Sequence, residues 1–230
     1  MDFGNVLVRI GIGATTVDAR LEKAEYIQGE ILRGYILVRG GKSIQHIERM
    51  YLYLAATTGE MIDRFSLEGG FMIAPGEEKR IPFEHPLPSY IPITTSRSEW
   101  VLRTGADIDM AIDPSDQDRI RILPSPELKL MFRLLKSGGF EPIYCGDKMV
   151  KEHGKFVQVF DYSPPASWKA SIRQLELKVL GNGFFTMELI RRELRNELET
   201  RIPVAVTEDD MKDTGVSLFH RLIARVKEII

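Results

Sequence analysis

One cysteine, Cys145, occurs in 230 residues, so no internal disulfide can staple the chain and its fold must rest on packing and hydrogen bonding. No run approaches the roughly 18 consecutive apolar residues that a membrane-crossing helix needs. Charge of one sign is also missing. With 31 Lys and Arg against 33 Asp and Glu, the formal net charge is −2, and no long-range field draws in nucleic acid or an anionic bilayer. Nucleic acid is therefore not an expected partner. The opening Met1-Asp2-Phe3-Gly4-Asn5 lacks the basic and apolar regions of a secretion signal, which gives the expectation of a cytoplasmic protein. Close histidine pairs are absent as well: His46, His85, His153 and His220 are scattered, which argues against a structural zinc site. Gly40-Gly41-Lys42-Ser43 has the ending of a phosphate-binding loop. The first glycine of that motif would fall at Ile36, however, and an alternating strand follows where a helix should begin. Gly11-x-Gly13 lacks both a third glycine and a following helix, and reads as a turn. Cys145 and His153 have no third group to orient them, so no nucleophile can be named. No cofactor, metal or catalytic residue is expected.

What the chain does contain is strand grammar. A hydrophobic content of 43% and a length sufficient for two cores place it among globular proteins. Leu32, Gly34, Ile36 and Val38 alternate with Ile31, Arg33, Tyr35 and Leu37. The segment from Ser43 to Thr57 continues the alternation, with Ile44, Met50, Leu52 and Leu54 in one phase. Between Trp100 and Asp113, the residues Trp100, Leu102, Ala106, Ile108, Met110 and Ile112 share one face, and Arg103, Asp107, Asp109 and Asp113 the other. Gly29-Glu30 and Pro75-Gly76 mark turns.

Pro124-Ser125-Pro126 punctuates the chain, and a domain boundary is placed there. Ser125 can cap a short helix with Pro126 at its first position, and Leu128, Met131, Phe132 and Leu135 recur at helical spacing as far as Ser137-Gly138-Gly139. Strands resume at Phe156–Tyr162, Ile172–Val179 and Phe184–Ile190, the last two joined through Gly181-Asn182-Gly183. A short strand near Pro203–Val206 closes this part. From Thr207 the period becomes 3.6: Met211, Leu218, Phe219, Leu222, Ile223, Val226, Ile229 and Ile230 form an apolar stripe, preceded by the capping sequence Thr207-Glu208-Asp209-Asp210. Gly215 lowers helix propensity by about 1 kcal/mol, so the ordered helix can begin at Asp213 or Thr214. Three uses of the stripe compete: packing on its own chain, self-association or partner docking through Leu218, Phe219, Leu222, Ile223, Val226, Ile229 and Ile230, and lying on a membrane surface. Its few basic residues rank the membrane last.

The order of these elements resembles the amino-terminal half of arrestin-like proteins. The phrases Gly11-Ile12-Gly13-Ala14, Val38-Arg39-Gly40-Gly41-Lys42, Gly69-Gly70-Phe71-Met72-Ile73-Ala74-Pro75-Gly76-Glu77-Glu78, Asp107 through Asp118, and Phe156-Val157-Gln158-Val159-Phe160 resemble the bacterial sporulation-control (SpoOM) family, from about Val8 to Val179. The resemblance implies an all-β fold of two arrestin-like β-sandwiches; with the boundary and helices read from the residues, these are 1–124 and 125–206, the second led by a short interdomain helix, and a C-terminal amphipathic helix follows at 207–230. It also implies a non-catalytic scaffold or adaptor acting through protein partners, regulatory or cytoskeletal, in early sporulation and in cell division or shape, with a homodimer as one possibility.

The acidic residues Asp107, Asp109, Asp113, Asp116 and Asp118 are the main candidate site. They offer hard oxygen ligands, but the glycine turn and distal Glu of a calcium loop are absent. By analogy with arrestin-like proteins, Asp107 and Asp109 opposite Arg103, Arg119 or Arg121 would form a polar interdomain contact. A solvated strand face is the competing reading. From another functional class, a small-molecule-binding or carbohydrate-binding β-sandwich would need converging aromatic and carboxylate side chains, and Trp100 and Trp168 lie far apart in sequence.

Overall fold

The computed structural model describes residues 15–67, 69–108, 115–152, 155–181, 184–191, 200–204, 206 and 216–228. The strands are β1 (Thr16–Leu21), β2 (Glu25–Ile27), β3 (Ile31–Arg39), β4 (Gln45–Ala56), β5 (Met61–Leu67), β6 (Phe71–Ile73), β7 (Glu78–Pro86), β8 (Trp100–Ile108), β9 (Ser115–Leu123), β10 (Glu141–Glu152), β11 (Lys155–Ser163), β12 (Ile172–Gly181), β13 (Phe184–Arg191) and β14 (Arg201–Val204). Helix α1 (Pro126–Ser137) and helix α2 (Val216–Lys227) accompany them. The protein is all-β in class. No helix among the described residues is long and apolar enough to cross a membrane.

The chain divides into two compact units that are discontinuous in sequence. The first takes residues up to Ala24, Ile31–Pro86 and Trp100–Ile120, and the second takes Glu25–Glu30, Leu87–Glu99 and the chain from Arg121 onward. The sequence places a boundary after Pro124; the packing changes over between Ile120 and Arg121, and two earlier segments join the later unit.

In the first unit, β1-β3-β7 form one antiparallel sheet, and β9-β8-β4-β5 follow one another in a second, with β6 paired to the start of β4. Alternation explains which faces are buried. Leu32, Ile36 and Val38 of β3 are buried, as are Met50, Leu52 and Leu54 of β4 and Leu102 and Ala106 of β8. Side chains at every second position enter the core and their neighbours leave it. Contacts join the two sheets at both margins, as in a sandwich. The backbone N–H of Ala19 on β1 donates to Asp116 Oδ2 of β9 at 3.1 Å. On the other side, Phe65 of β5 lies 6.0 Å from Phe83 of β7 and stacks on His85 at 3.8 Å. The Nε2 of His85 is 2.6 Å from Asp63 Oδ2.

β4 departs from the sequence reading at one point. Its register against β8 shifts between Ile47 and Arg49. A bulge inserts one residue and reverses the phase, so Ile47 is buried and Ile44, expected in phase with Met50, is 64% exposed. The Pro75-Gly76 turn is present, with Gly76 at φ 68°.

The second unit is built on the antiparallel sheet β10-β11-β12-β13-β14. Helix α1 starts where the sequence indicates: Ser125 Oγ accepts from Leu128 N at 3.2 Å, with Pro126 in the first turn and Lys136 in the last. The helix buries Leu128, Met131 and Leu135, and Phe132 meets Phe160 of β11 edge-on at 5.1 Å. Across the sheet, Asp161, Glu176 and Glu188 stand in register on β11, β12 and β13. Lys148 Nζ reaches Glu176 at 3.1 Å from one side, and Arg201 Nη1 reaches Glu176 at 2.6 Å and Glu188 at 2.9 Å from the other. Burial alone would raise the Glu176 carboxyl, but the hydrogen bonds from Arg201 and Lys148 outweigh it and hold the group below its ordinary range.

Candidate functional site

The outward positions of β4 are Arg49, Tyr51 and Tyr53, set by the alternation that buries Met50, Leu52 and Leu54. Directly opposed residues in an antiparallel pair share a face, so the register decides what surrounds them. Tyr51 opposes Gly105 on β8 and Ser66 on β5, Tyr53 opposes Arg103 and Arg64, and Arg49 opposes Asp107. Gln117 on β9 opposes Arg103, and Arg119 lies two residues further along the same strand. Among the described residues, one sheet face thus collects Arg49, Arg64, Arg103 and Arg119 around two tyrosines, with Asp107 beside Arg49.

The two tyrosine rings are 4.9 Å apart and tilted by 51°. The guanidinium carbon of Arg64 lies 5.2 Å from the centre of Tyr51 and 5.4 Å from that of Tyr53, within cation–π range of both. Gly105 makes this geometry possible. A Cβ there would come within 2.3 Å of Tyr51 Cε2, so any other residue would push the ring off the sheet. Burial, then hydrogen bonding to Tyr53 and the neighbouring Asp107, drives the Tyr51 phenol well above its ordinary range, so its hydroxyl stays protonated. Arg103 Nε donates to Gln117 Oε1 at 3.2 Å. Planar guanidinium groups beside aromatic rings can grip carboxylates in paired hydrogen bonds and stack on flat groups.

Of the residues singled out in the sequence, Arg103, Asp107 and Arg119 come together on this face. Arg121, two residues beyond Arg119 on β9, belongs to the second unit, where its Nη1 pairs with Glu25 Oε1 at 3.1 Å. Asp109 and Asp113 lie outside the described residues. The acidic run is split by strand alternation. Asp107 points to the arginine face, whereas Asp116 and Asp118 belong to the opposite phase of β9, shared with buried Ile120. Burial, and then the nearby Asp116 and Asp18, push the Asp118 carboxyl up to about 7, partly offset by Arg20. Asp118 Oδ2, Thr104 Oγ1 and Trp100 Nε1 are buried without hydrogen-bond partners. Among the described residues, no group of three His, Cys, Asp or Glu side chains is arranged to hold a metal ion.

Sequence reasoning missed Arg49, Tyr51, Tyr53 and Arg64. The alternation Arg49-x-Tyr51-x-Tyr53, out of phase with Met50, Leu52 and Leu54, was the available signal for three of them. Arg64 is brought in only by the β4–β5 register.

In the C-terminal helix, Leu218 is buried and Ile223 half-buried. The ring of Phe219 lies against Gly138, and α2 borders β14. The described side chains of this stripe therefore pack on their own unit. The side chains of Leu222 and Val226, and the residues Ile229 and Ile230, lie outside the described set.

Fold and site together define a class: an all-β protein whose chemically distinctive side chains lie on an open sheet face. Comparison with known proteins narrows it. The profile of the family described as SpoOM protein matches residues 3–184. Sporulation-control protein spo0M of Bacillus subtilis (strain 168) is 30% identical over 241 aligned positions, covering 92% of this chain and 93% of that protein. The crystal structure of Spo0M from Bacillus subtilis superposes with a TM-score of 0.77 at 27% identity, covering 95% of this chain and 100% of that one. The chain belongs to the SpoOM sporulation-control family.

Proposed function

We propose that this chain is a non-catalytic regulator of sporulation that works by binding other proteins, as an arrestin-like scaffold or adaptor in the cytoplasm with a further role in cell division or shape. Two supports converge on this reading. The similarity to the Bacillus subtilis sporulation-control protein spans nearly the whole of both chains. The observation that carries the mode of action is the arginine and tyrosine face, whose groups suit recognition of another molecule and include no paired nucleophile and base. The test is complementation. Expressed in a Bacillus subtilis strain lacking its own sporulation-control protein, the chain is expected to restore spore counts. A variant carrying Arg64→Gln and Arg103→Gln, folded to the same melting temperature, is expected not to. No restoration by the unaltered chain would remove the sporulation role. Full restoration by the double variant would remove the face from it.

A further inference from the structure

We infer that the open face of β4, β5, β8 and β9 docks an acidic, Asp- and Glu-rich segment of a partner protein, an inference that rests on the protein-binding reading above. Charge is the first argument. Among the described residues, the strands of this face present Arg49, Arg64, Arg103 and Arg119 against Asp107, in a chain whose formal net charge is −2. The described part of the patch is positive on a chain that is nearly neutral overall, so it selects an acidic partner locally.

Chemistry is the second argument. All the cations on the face are arginines, and a guanidinium offers a flat fork of donors that matches a carboxylate in two parallel hydrogen bonds. The tyrosines supply what electrostatics alone lacks: rigid, partly apolar area that costs little conformational entropy to bury, next to a charged group already stacked upon it. Arg64 lies over both tyrosine rings and Gly105 lets the Tyr51 ring lie against the sheet, so the platform is organised before any partner arrives.

The experiment uses the full chain and a blocked dodecapeptide of alternating Glu and Asp, with fluorescence anisotropy at low and at physiological salt. Saturable binding that weakens with salt is expected, with none to the Gln and Asn counterpart of the peptide. The Arg64→Gln, Arg103→Gln variant is expected to lose about tenfold or more in affinity. Gly105→Ala, which keeps every charge and displaces the Tyr51 ring, is expected to lose several-fold, while Arg39→Gln, on β3 in the other sheet, binds as the unaltered chain does. Absence of saturable binding overturns the inference, as does an equal loss in Arg39→Gln. A single-stranded oligonucleotide of the same charge binding as tightly as the peptide overturns it in favour of a phosphate ligand. The assay uses purified protein, so its failure with successful complementation removes only this inference. Binding with failed complementation removes only the sporulation role.

Discussion

Asp118 is a carboxylic acid held by its surroundings where a change of one proton falls near neutrality. Its carboxyl rises from 3.8 to about 7 because burial, Asp116 and Asp18 all penalise the ionised form. The sign of the linkage follows. The raised value favours the folded state fully below the unfolded pKa near 4, and that contribution is lost as pH climbs through 7. Replacement with the uncharged Asn removes the titration. Asp118→Asn is therefore expected to match the unaltered protein only below about pH 4 and to be more stable at pH 8 by about 1–3 kcal/mol, a range reduced for the partial exposure of the side chain. Denaturant melts at the two pH values measure it, and parallel pH dependence in both proteins would reject the assignment. Glu176 shows the opposite sign from similar burial, because Arg201 and Lys148 reach it. Asp118 is flanked by acids, and Glu176 by cations.

At the scale of the element, α2 shows how a terminal amphipathic helix is anchored. Leu218 is 1% exposed and Phe219 meets Gly138, so Leu218→Ala is expected to lower stability by about 2–3 kcal/mol, the lower part of the range for buried leucines because the helix is peripheral. Chemical denaturation of the two proteins decides it, and an unchanged midpoint would mean that the helix adds nothing to the second unit. The same scale shows what the sequence made legible. β3, β8 and β12 follow period-2 alternation, and α1 begins at its Ser125-Pro126 signal, because each is set by local physics. The bulge in β4 carried no local mark, since one extra residue alters phase without altering composition. The parallel pairing of β2 with the end of β9, Glu25 to Arg121, was also unreadable, because residues distant in sequence leave no periodic trace of their register. The candidate face was half legible for that reason. Arg103, Asp107 and Arg119 stood out by alternation, as Arg49, Tyr51 and Tyr53 could have, while Arg64 joined them only through its register against Tyr53.

For the whole molecule, the interleaving of the two units has measurable consequences. The second unit depends on segments that precede it. Gln158, 1% exposed, accepts from Ile93 N at 2.7 Å and donates to Ile93 O at 3.1 Å. Gln28 donates to Ile91 O at 2.6 Å and accepts from Ser125 N at 3.1 Å. Tyr26, Ile91 and Ile93 are buried. A fragment comprising residues 121–230 lacks Tyr26, Gln28, Ile91 and Ile93, leaving the buried Gln158 amide unsatisfied at about 1–3 kcal/mol and a core without three of its large side chains. It is expected to show no cooperative melt, where the full chain does. A cooperative transition and dispersed amide spectrum from the fragment would show that the earlier segments are dispensable. The arrangement also imposes an order on events at the ribosome. The residues of the first unit emerge by Ile120 and can close their sheets while most of the second is still unmade. The segments around Tyr26 and Ile91 must then wait, tethered at both ends to an already folded body, for strands synthesised much later. Such long-range closure is slow. The second unit therefore cannot be completed until β11, which carries Gln158, the partner of Ile93, has been made.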